Sequence, residues 1–167
     1  GQLLDHLNEH QLNLVGIWLT HAHYDHIFGL DDVLCDHPDT PIFIHQISQH
    51  KFELYLNIHP IKDGDTLDCG TVSFQVIHTP GHSPDGVCFF SPGHLISGDT
   101  LFIDRCGRAD LSDSCVNRLY QSLQQLKQLP DETIVYPGHN YGKVPTDTIG
   151  SQRLKNPYLL VDNEPEF

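Results

Sequence analysis

Leu14-Val15-Gly16-Ile17-Trp18-Leu19-Thr20 runs straight into His21-Ala22-His23-Tyr24-Asp25-His26. The apolar run predicts a strand, and the residues after it include four side chains able to ligate a metal, His21, His23, Asp25 and His26. Three later apolar runs end in the same kind of residue. Val72-Ser73-Phe74-Gln75-Val76-Ile77 leads through His78-Thr79-Pro80-Gly81 to His82, Leu95-Ile96-Ser97-Gly98 delivers Asp99, and Ile134-Val135-Tyr136-Pro137-Gly138 delivers His139. Glycine accepts backbone angles closed to other residues, so a strand that ends in a glycine-containing turn can aim the next side chain off the sheet edge. Four such edges, if they converge, gather nitrogen and oxygen donors for two divalent metals.

The chain has 13 histidines, and most of the others read as ordinary surface or hydrogen-bonded residues. His6 and His10 lie four apart on an expected surface helix, and His37, His45, His50, His59 and His94 lack ligand-type neighbours. The stretch from His21 to His26 differs because its donors are concentrated at the end of one strand.

At 167 residues the chain fits one domain, residues 1–167, able to bury a core without disulfide staples. Apolar residues make up 38% of the chain, with 13 Gly and 11 Pro, which fits a globular, turn-rich protein. No apolar run is long enough for a membrane span and no secretory signal pattern opens the sequence, so a soluble protein away from membranes is expected. Five cysteines, Cys35, Cys69, Cys88, Cys106 and Cys115, are odd in number and show no Cys-x-x-Cys spacing. A disulfide framework and a thiolate zinc knot are therefore disfavoured, and a reducing cytoplasm is the expected setting. The net charge of -13, from 22 acidic and 9 basic residues, argues against a nucleic-acid partner. Bound divalent cations would offset part of it. Arg105 and Arg108 flank Cys106-Gly107, with Lys143, Arg153 and Lys155 further on; surface charge and anionic-substrate binding explain these cations equally well.

The spacing of Leu3, Leu4 and Leu7 predicts an amphipathic helix before the first strand. A short helix is expected over 29–34 and a buried strand over 41–44. Turn signals at Asp63-Gly64-Asp65 and Cys69-Gly70 bracket Thr66-Leu67-Asp68, and alternation at Val72, Phe74 and Val76 gives a half-buried strand. Residues 87–90 and 95–97 read as a hairpin around Ser91-Pro92-Gly93. Val116, Leu119, Leu123 and Leu126 share one face of a helix expected to run to Leu129, where Pro130 ends it.

Four motifs in order, Thr20-His21-Ala22-His23-Tyr24-Asp25-His26, Thr79-Pro80-Gly81-His82, Ser97-Gly98-Asp99-Thr100 and Tyr136-Pro137-Gly138-His139, resemble the metallo-β-lactamase superfamily of metal-dependent hydrolases. The resemblance implies an α/β fold, an αβ/βα sandwich of two mixed sheets between outer helices. It implies that His21, His23 and His82 hold one metal, that Asp25, His26 and His139 hold a second, and that Asp99 bridges both. True zinc β-lactamases of the best-known type lack a histidine after the motif aspartate and carry cysteine where Asp99 stands. Gly98-Asp99-Thr100-Leu101-Phe102 followed by Cys106-Gly107-Arg108 instead resembles the glyoxalase II (hydroxyacylglutathione hydrolase) type of thioester hydrolase and the related persulfide dioxygenases. Tyr141 matches a tyrosine that contacts glutathione in glyoxalase II, and Arg108 and Lys143 join it as candidate substrate contacts. Family members carry strands upstream of the opening helix, so the sequence reads as an N-terminally incomplete domain. The stretch after His139 is too short for the helical glutathione-binding domain of full-length glyoxalase II, so compact single-domain relatives are the closer comparison.

Three functions follow. The first is a thioester hydrolase with two divalent metals, zinc foremost and iron or manganese next, acting on a small-molecule thioester, glutathione-derived thioesters included. The metals would lower the pKa of a water from near 16 to about 7, and Asp25 would orient that water as well as serve as a ligand. The second is a persulfide dioxygenase with one iron on His21, His82 and Asp99. The third is an inactive metal-binding fragment. Serine catalysis is weak because no Gly-x-Ser-x-Gly elbow occurs and Ser83 and Ser97 fit turns. Cys106 has no neighbouring base in the sequence.

Overall fold

Hydrophobic alternation and one leucine-faced helix account for most of the architecture. In the computed structural model, which describes residues 2–163 and 167, helix α1 (Gln2–Glu9) leads into strand β1 (Ile17–Trp18), then α2 (Tyr24–Ile27) and α3 (Leu30–Asp36). Strand β2 (Ile42–His45), a 3₁₀ segment (Gln46–Phe52) and β3 (Ile58–Ile61) complete the first half. The second half contains β4 (Thr66–Cys69), β5 (Val72–His78), β6 (Val87–Ser91), β7 (His94–Gly98), β8 (Leu101–Phe102), β9 (Arg105–Cys106), α4 (Val116–Leu126), β10 (Ile134–Pro137), β11 (Asp147–Thr148), α5 (Ile149–Lys155) and α6 (Pro157–Leu160).

The strands form a parallel sheet in the order β1-β2-β3, a mixed sheet in the order β11-β10-β7-β6-β5-β4, and the small hairpin β8-β9. Val76, Val87 and Phe89 of the large sheet pack with Trp18 and Phe43 of the small one. Behind the large sheet, Leu119, Leu123 and Leu126 of α4 join Leu95, Val135, Ile149 and Leu159 in a second apolar layer. Leu30 and Phe52 cover the other side of the small sheet with Ile42 and Ile44. Helix, sheet, sheet and helix thus stack in the expected order.

Three differences from expectation have physical causes. The first strand is regular over only two residues, Ile17 and Trp18 opposite Ile42 and Phe43, because the chain then leaves the ladder for the turn that carries His21 and His23. Helix α4 stops at Leu126 rather than Leu129. Past Leu126 the N–H groups of Gln128 and Leu129 turn to the carbonyls of Gln125 and Leu126, three residues back, and Nη2 of Arg153 donates to the carbonyls of Lys127 (2.7 Å) and Leu129 (3.0 Å). Strand β3 had no clear sequence signal, because Ile58-His59-Pro60-Ile61 contains a proline. That proline is tolerated because β3 is an edge.

Candidate metal centre

The chain leaves β1, β5, β7 and β10 at points that bring seven side chains into one place. His21, His23 and His82 form one group, Asp25, His26 and His139 another, and His21, His26 and Asp99 a third, each with ligand atoms within 4.8 Å of one another. Backbone geometry makes the approach close. Gly98 has φ +50, and a Cβ there would press on the Thr20 side chain at 2.7 Å, so glycine lets the end of β7 meet the residue before His21. A Cβ on Gly138 would run into Oδ1 of Asp99 and sit 2.9 Å from Cε1 of His26.

The first group is the more enclosed. Nε2 of His21 lies 3.1 Å from Nδ1 of His23, which lies 2.9 Å from Nε2 of His82. His21 is 2% and His82 7% exposed. In the second group Nε2 of His139 is 3.2 Å from both Nε2 of His26 and Oδ2 of Asp25. This half is open, the Asp25 side chain being 58% exposed. Asp99 faces both. Its Oδ1 is 3.2 Å from Nε2 of His26, and its Oδ2 is 3.6 Å from His82 and 3.4 Å from His139.

These donors fit divalent cations. Ligands on a tetrahedral ion at about 2.0–2.1 Å stand about 3.3 Å from one another, close to the separations between these atoms. Oδ1 of Asp99 is buried and accepts no hydrogen bond despite its nearness to His26, as expected when both atoms aim at a shared point rather than at each other. Burial, helped by the neighbouring imidazoles, pushes the His21 pKa down to about 3. Burial and the His82 ring lower that of His23. Both rings are therefore neutral at pH 7, the form that ligates. Burial also disfavours the charged form of His26, but the carboxylates of Asp99 and Asp25 outweigh it and raise its pKa.

A further ring of contacts orients the donors. Nδ1 of His82 donates to the Arg108 carbonyl at 2.9 Å, and Nδ1 of His21 lies 3.2 Å from the Thr20 hydroxyl. Oδ2 of Asp113 approaches Nε2 of His23 at 3.9 Å. Tyr141, 56% exposed, stacks on His139 with ring centroids 5.1 Å apart and meets Phe102 edge-on at 5.2 Å. Arg108 contributes its carbonyl, while its guanidinium pairs with Asp110 at 2.6 Å on the surface. Lys143 is exposed and, among the described residues, makes no hydrogen bond or ion pair with the seven. Thr20, Phe102 and Asp113 had no role assigned from sequence. Thr20 and Phe102 stood in quoted motifs, whereas a lone aspartate such as Asp113 carries no spacing signal.

The competing nucleophiles are weak. Burial pushes the Cys106 thiol up to about 12, so it stays protonated at neutral pH. Ser97 uses its hydroxyl to bond the Leu101 carbonyl at 2.6 Å. His45, taken as an ordinary residue, is 3% exposed, stacks on His78 at 4.1 Å and belongs to none of the ligand groups.

This layered fold with metal-ligand side chains at its strand ends defines a class, and the chain belongs to it: residues 2–139 match the metallo-β-lactamase superfamily. Among curated relatives, hydroxyacylglutathione hydrolase of Hydrogenovibrio crunogenus is 37% identical over 140 residues, covering 84% of this chain and 50% of that protein. The probable polyketide biosynthesis zinc-dependent hydrolase BaeB of Bacillus velezensis is 32% identical over 169 residues, covering 99% of this chain and 74% of that protein. Among solved structures, ETHE1 from Myxococcus xanthus superposes with a TM-score of 0.85 at 29% identity, covering 99% of this chain and 72% of that one. The chain thus spans half the length of the first relative. No helix among the described residues is long and apolar enough to cross a membrane.

Proposed function

We propose that this chain, as a single metallo-β-lactamase-type domain, carries the reaction centre of a metal-dependent hydrolase that cleaves a thioester. The observation that carries this reading is one buried carboxylate, Asp99, facing both imidazole groups. His21, His23 and His82 would hold one divalent ion, Asp25, His26 and His139 a second, with Asp99 shared between them. Bound there, the ions would supply a water that ionises near pH 7 and a Lewis acid for the thioester carbonyl.

The chain's own residues do the remainder. His21 and His23 enter neutral, so no proton has to leave them before binding. The Arg108 carbonyl holds the proton of His82 on Nδ1 and keeps Nε2 free. Asp25, open to solvent beside His139, would orient the attacking water. Tyr141 offers an exposed aromatic face next to His139, and with Arg108 and Lys143 it is assigned to the substrate's thiol carrier. Zinc is the metal proposed, because imidazole and carboxylate suit zinc, with iron and manganese next, and because BaeB is named as zinc-dependent. The substrate is a small-molecule thioester. A glutathione thioester is the first choice, from the name of the Hydrogenovibrio relative. Five free cysteines suit a reducing cytoplasm.

The test is thiol release from hydroxyacyl-glutathione and from a simple acyl thioester by zinc-loaded protein. Release that stops on chelation and returns with zinc supports the reading. A loaded, folded protein that releases no thiol from either overturns it and favours an inactive fragment.

A second reading, a persulfide dioxygenase with one iron, is favoured by the asymmetry of the centre. The enclosed half contains His21 and His82 beside Asp99, while the other half is open. The two-histidine, one-carboxylate set leaves positions for oxygen and sulfur.

A further inference from the structure

Beneath the motif between β1 and α2 lies a carboxylate with no part in the chemistry above. Asp85 is 1% exposed. Its Oδ2 accepts the Ala22 N–H at 2.9 Å and the Ser48 hydroxyl at 2.7 Å. Ala22 separates His21 from His23, Ser48 belongs to the 3₁₀ segment, and Asp85 sits in the turn between His82 and β6. One carboxylate therefore ties three segments together, two of which carry imidazoles of the metal centre.

A buried carboxylate is costly unless hydrogen bonds satisfy it. Burial would raise the Asp85 pKa, but donors led by Ser48 hold it below the ordinary carboxylate range, so the acceptor is an anion. Its bond to Ala22 falls where geometry is most demanding. Residues two apart in an extended stretch share a face with Cα atoms about 6.5–7 Å apart, yet Nε2 of His21 and Nδ1 of His23 are 3.1 Å apart. The rings meet through different nitrogens, an arrangement that depends on the peptide orientation at Ala22.

We propose that Asp85 is a positioning residue: by holding the Ala22 amide it fixes the backbone from which His21 and His23 project, so both rings are arranged before a metal arrives. The inference rests on the metal-centre reading given above. Asp85→Asn keeps an acceptor oxygen in place and removes the charge, Asp85→Glu keeps the charge and displaces the oxygen, and Asp85→Ala removes both.

Two measurements decide it, neither of which needs a substrate. Amide exchange of Ala22, followed by NMR on metal-free protein, should be slow in the wild type and Asp85→Asn and fast in Asp85→Ala and Asp85→Glu. Zinc affinity, measured by competition with a chromophoric chelator, should stay within about three-fold in Asp85→Asn and fall about 10–100-fold in Asp85→Ala and Asp85→Glu. Should Asp85→Ala fail to fold, the Asn and Glu variants still separate position from charge. Ala22 protection and zinc affinity unchanged in Asp85→Glu would overturn the proposal, as would an Asp85→Asn protein that binds zinc as weakly as Asp85→Glu. If the wild type binds no zinc, the metal-centre reading fails and the exchange of Ala22 alone decides the positioning role. Loss of the thioester reading would leave both measurements unchanged.

Discussion

Nδ1 of His23 and Nε2 of His82 lie 2.9 Å apart. A carbonyl can only accept, so in the neutral His82 ring the bond from Nδ1 to the Arg108 carbonyl leaves Nε2 as a lone pair directed at His23. Nε2 of His21 crowds the same His23 nitrogen at 3.1 Å. One proton can bridge one pair of these nitrogens, whereas one cation can bind all three.

Purified protein should therefore carry zinc, iron or manganese with no thiolate ligand. Chelation should lower its melting temperature by several degrees, since a ligand at 1,000 times its Kd adds about 4 kcal/mol. Elemental analysis and a thermal melt before and after dialysis against chelator check this. A metal-free protein that takes up no ion on remetallation counts against it.

Asp99→Ala removes the carboxylate that faces both groups. Two dications without a shared anion repel, and the open half of the centre should lose its ion first. Turnover should fall at least about 100-fold with little change in the far-UV spectrum. Two tightly held ions and normal turnover would show that Asp99 is not the bridge.

Much of this candidate centre could be read from the sequence, because donor residues at strand ends leave a local mark. An apolar run, a glycine and a donor residue repeat at His82, Asp99 and His139, and the run before His21 leads into the densest cluster. The lower-lying support could not. Asp85 reaches Ala22 across 63 positions and Ser48 across 37, and such pairings follow from packing rather than periodicity. The end of α4 was missed for the same reason, since the segment just past Leu126 is held by the side chain of Arg153 on α5. Periodicity located the core of that helix, Leu119, Leu123 and Leu126, correctly.

Acid should destabilise the metal-free protein well above the carboxylate range. The pKa values of His21, His23 and His45 are lowered in the fold, so below pH 6.5 the unfolded chain binds protons that the folded chain refuses. Stability then falls as pH drops from 6.5 toward 3. His26, whose pKa is raised, works the other way, adding stability below 6.5 that is lost as pH rises through its folded value. The three lowered groups outweigh it, His21 alone accounting for about 2 kcal/mol between pH 7 and pH 5. Urea midpoints of chelated protein should be lower at pH 5 than at pH 7, and an equal or higher midpoint at pH 5 would refute the assignment.

Oxygen dependence separates the two proposed chemistries. The hydrolase uses both halves of the centre, so thiol release from an acyl thioester should be equal with and without oxygen. His139→Ala should impair it at least about 10-fold by weakening the second ion's site. A persulfide dioxygenase would need only the half containing His21, His82 and Asp99. It would consume oxygen with glutathione persulfide, form sulfite, and tolerate His139→Ala far better than His82→Ala. The hydrolase is favoured because His26 and His139 are both present, with Nε2 atoms 3.2 Å apart and Asp25 beside them, an arrangement that a single ion on the enclosed half leaves unused. Stoichiometric oxygen uptake with persulfide and no thioester turnover would reverse the choice.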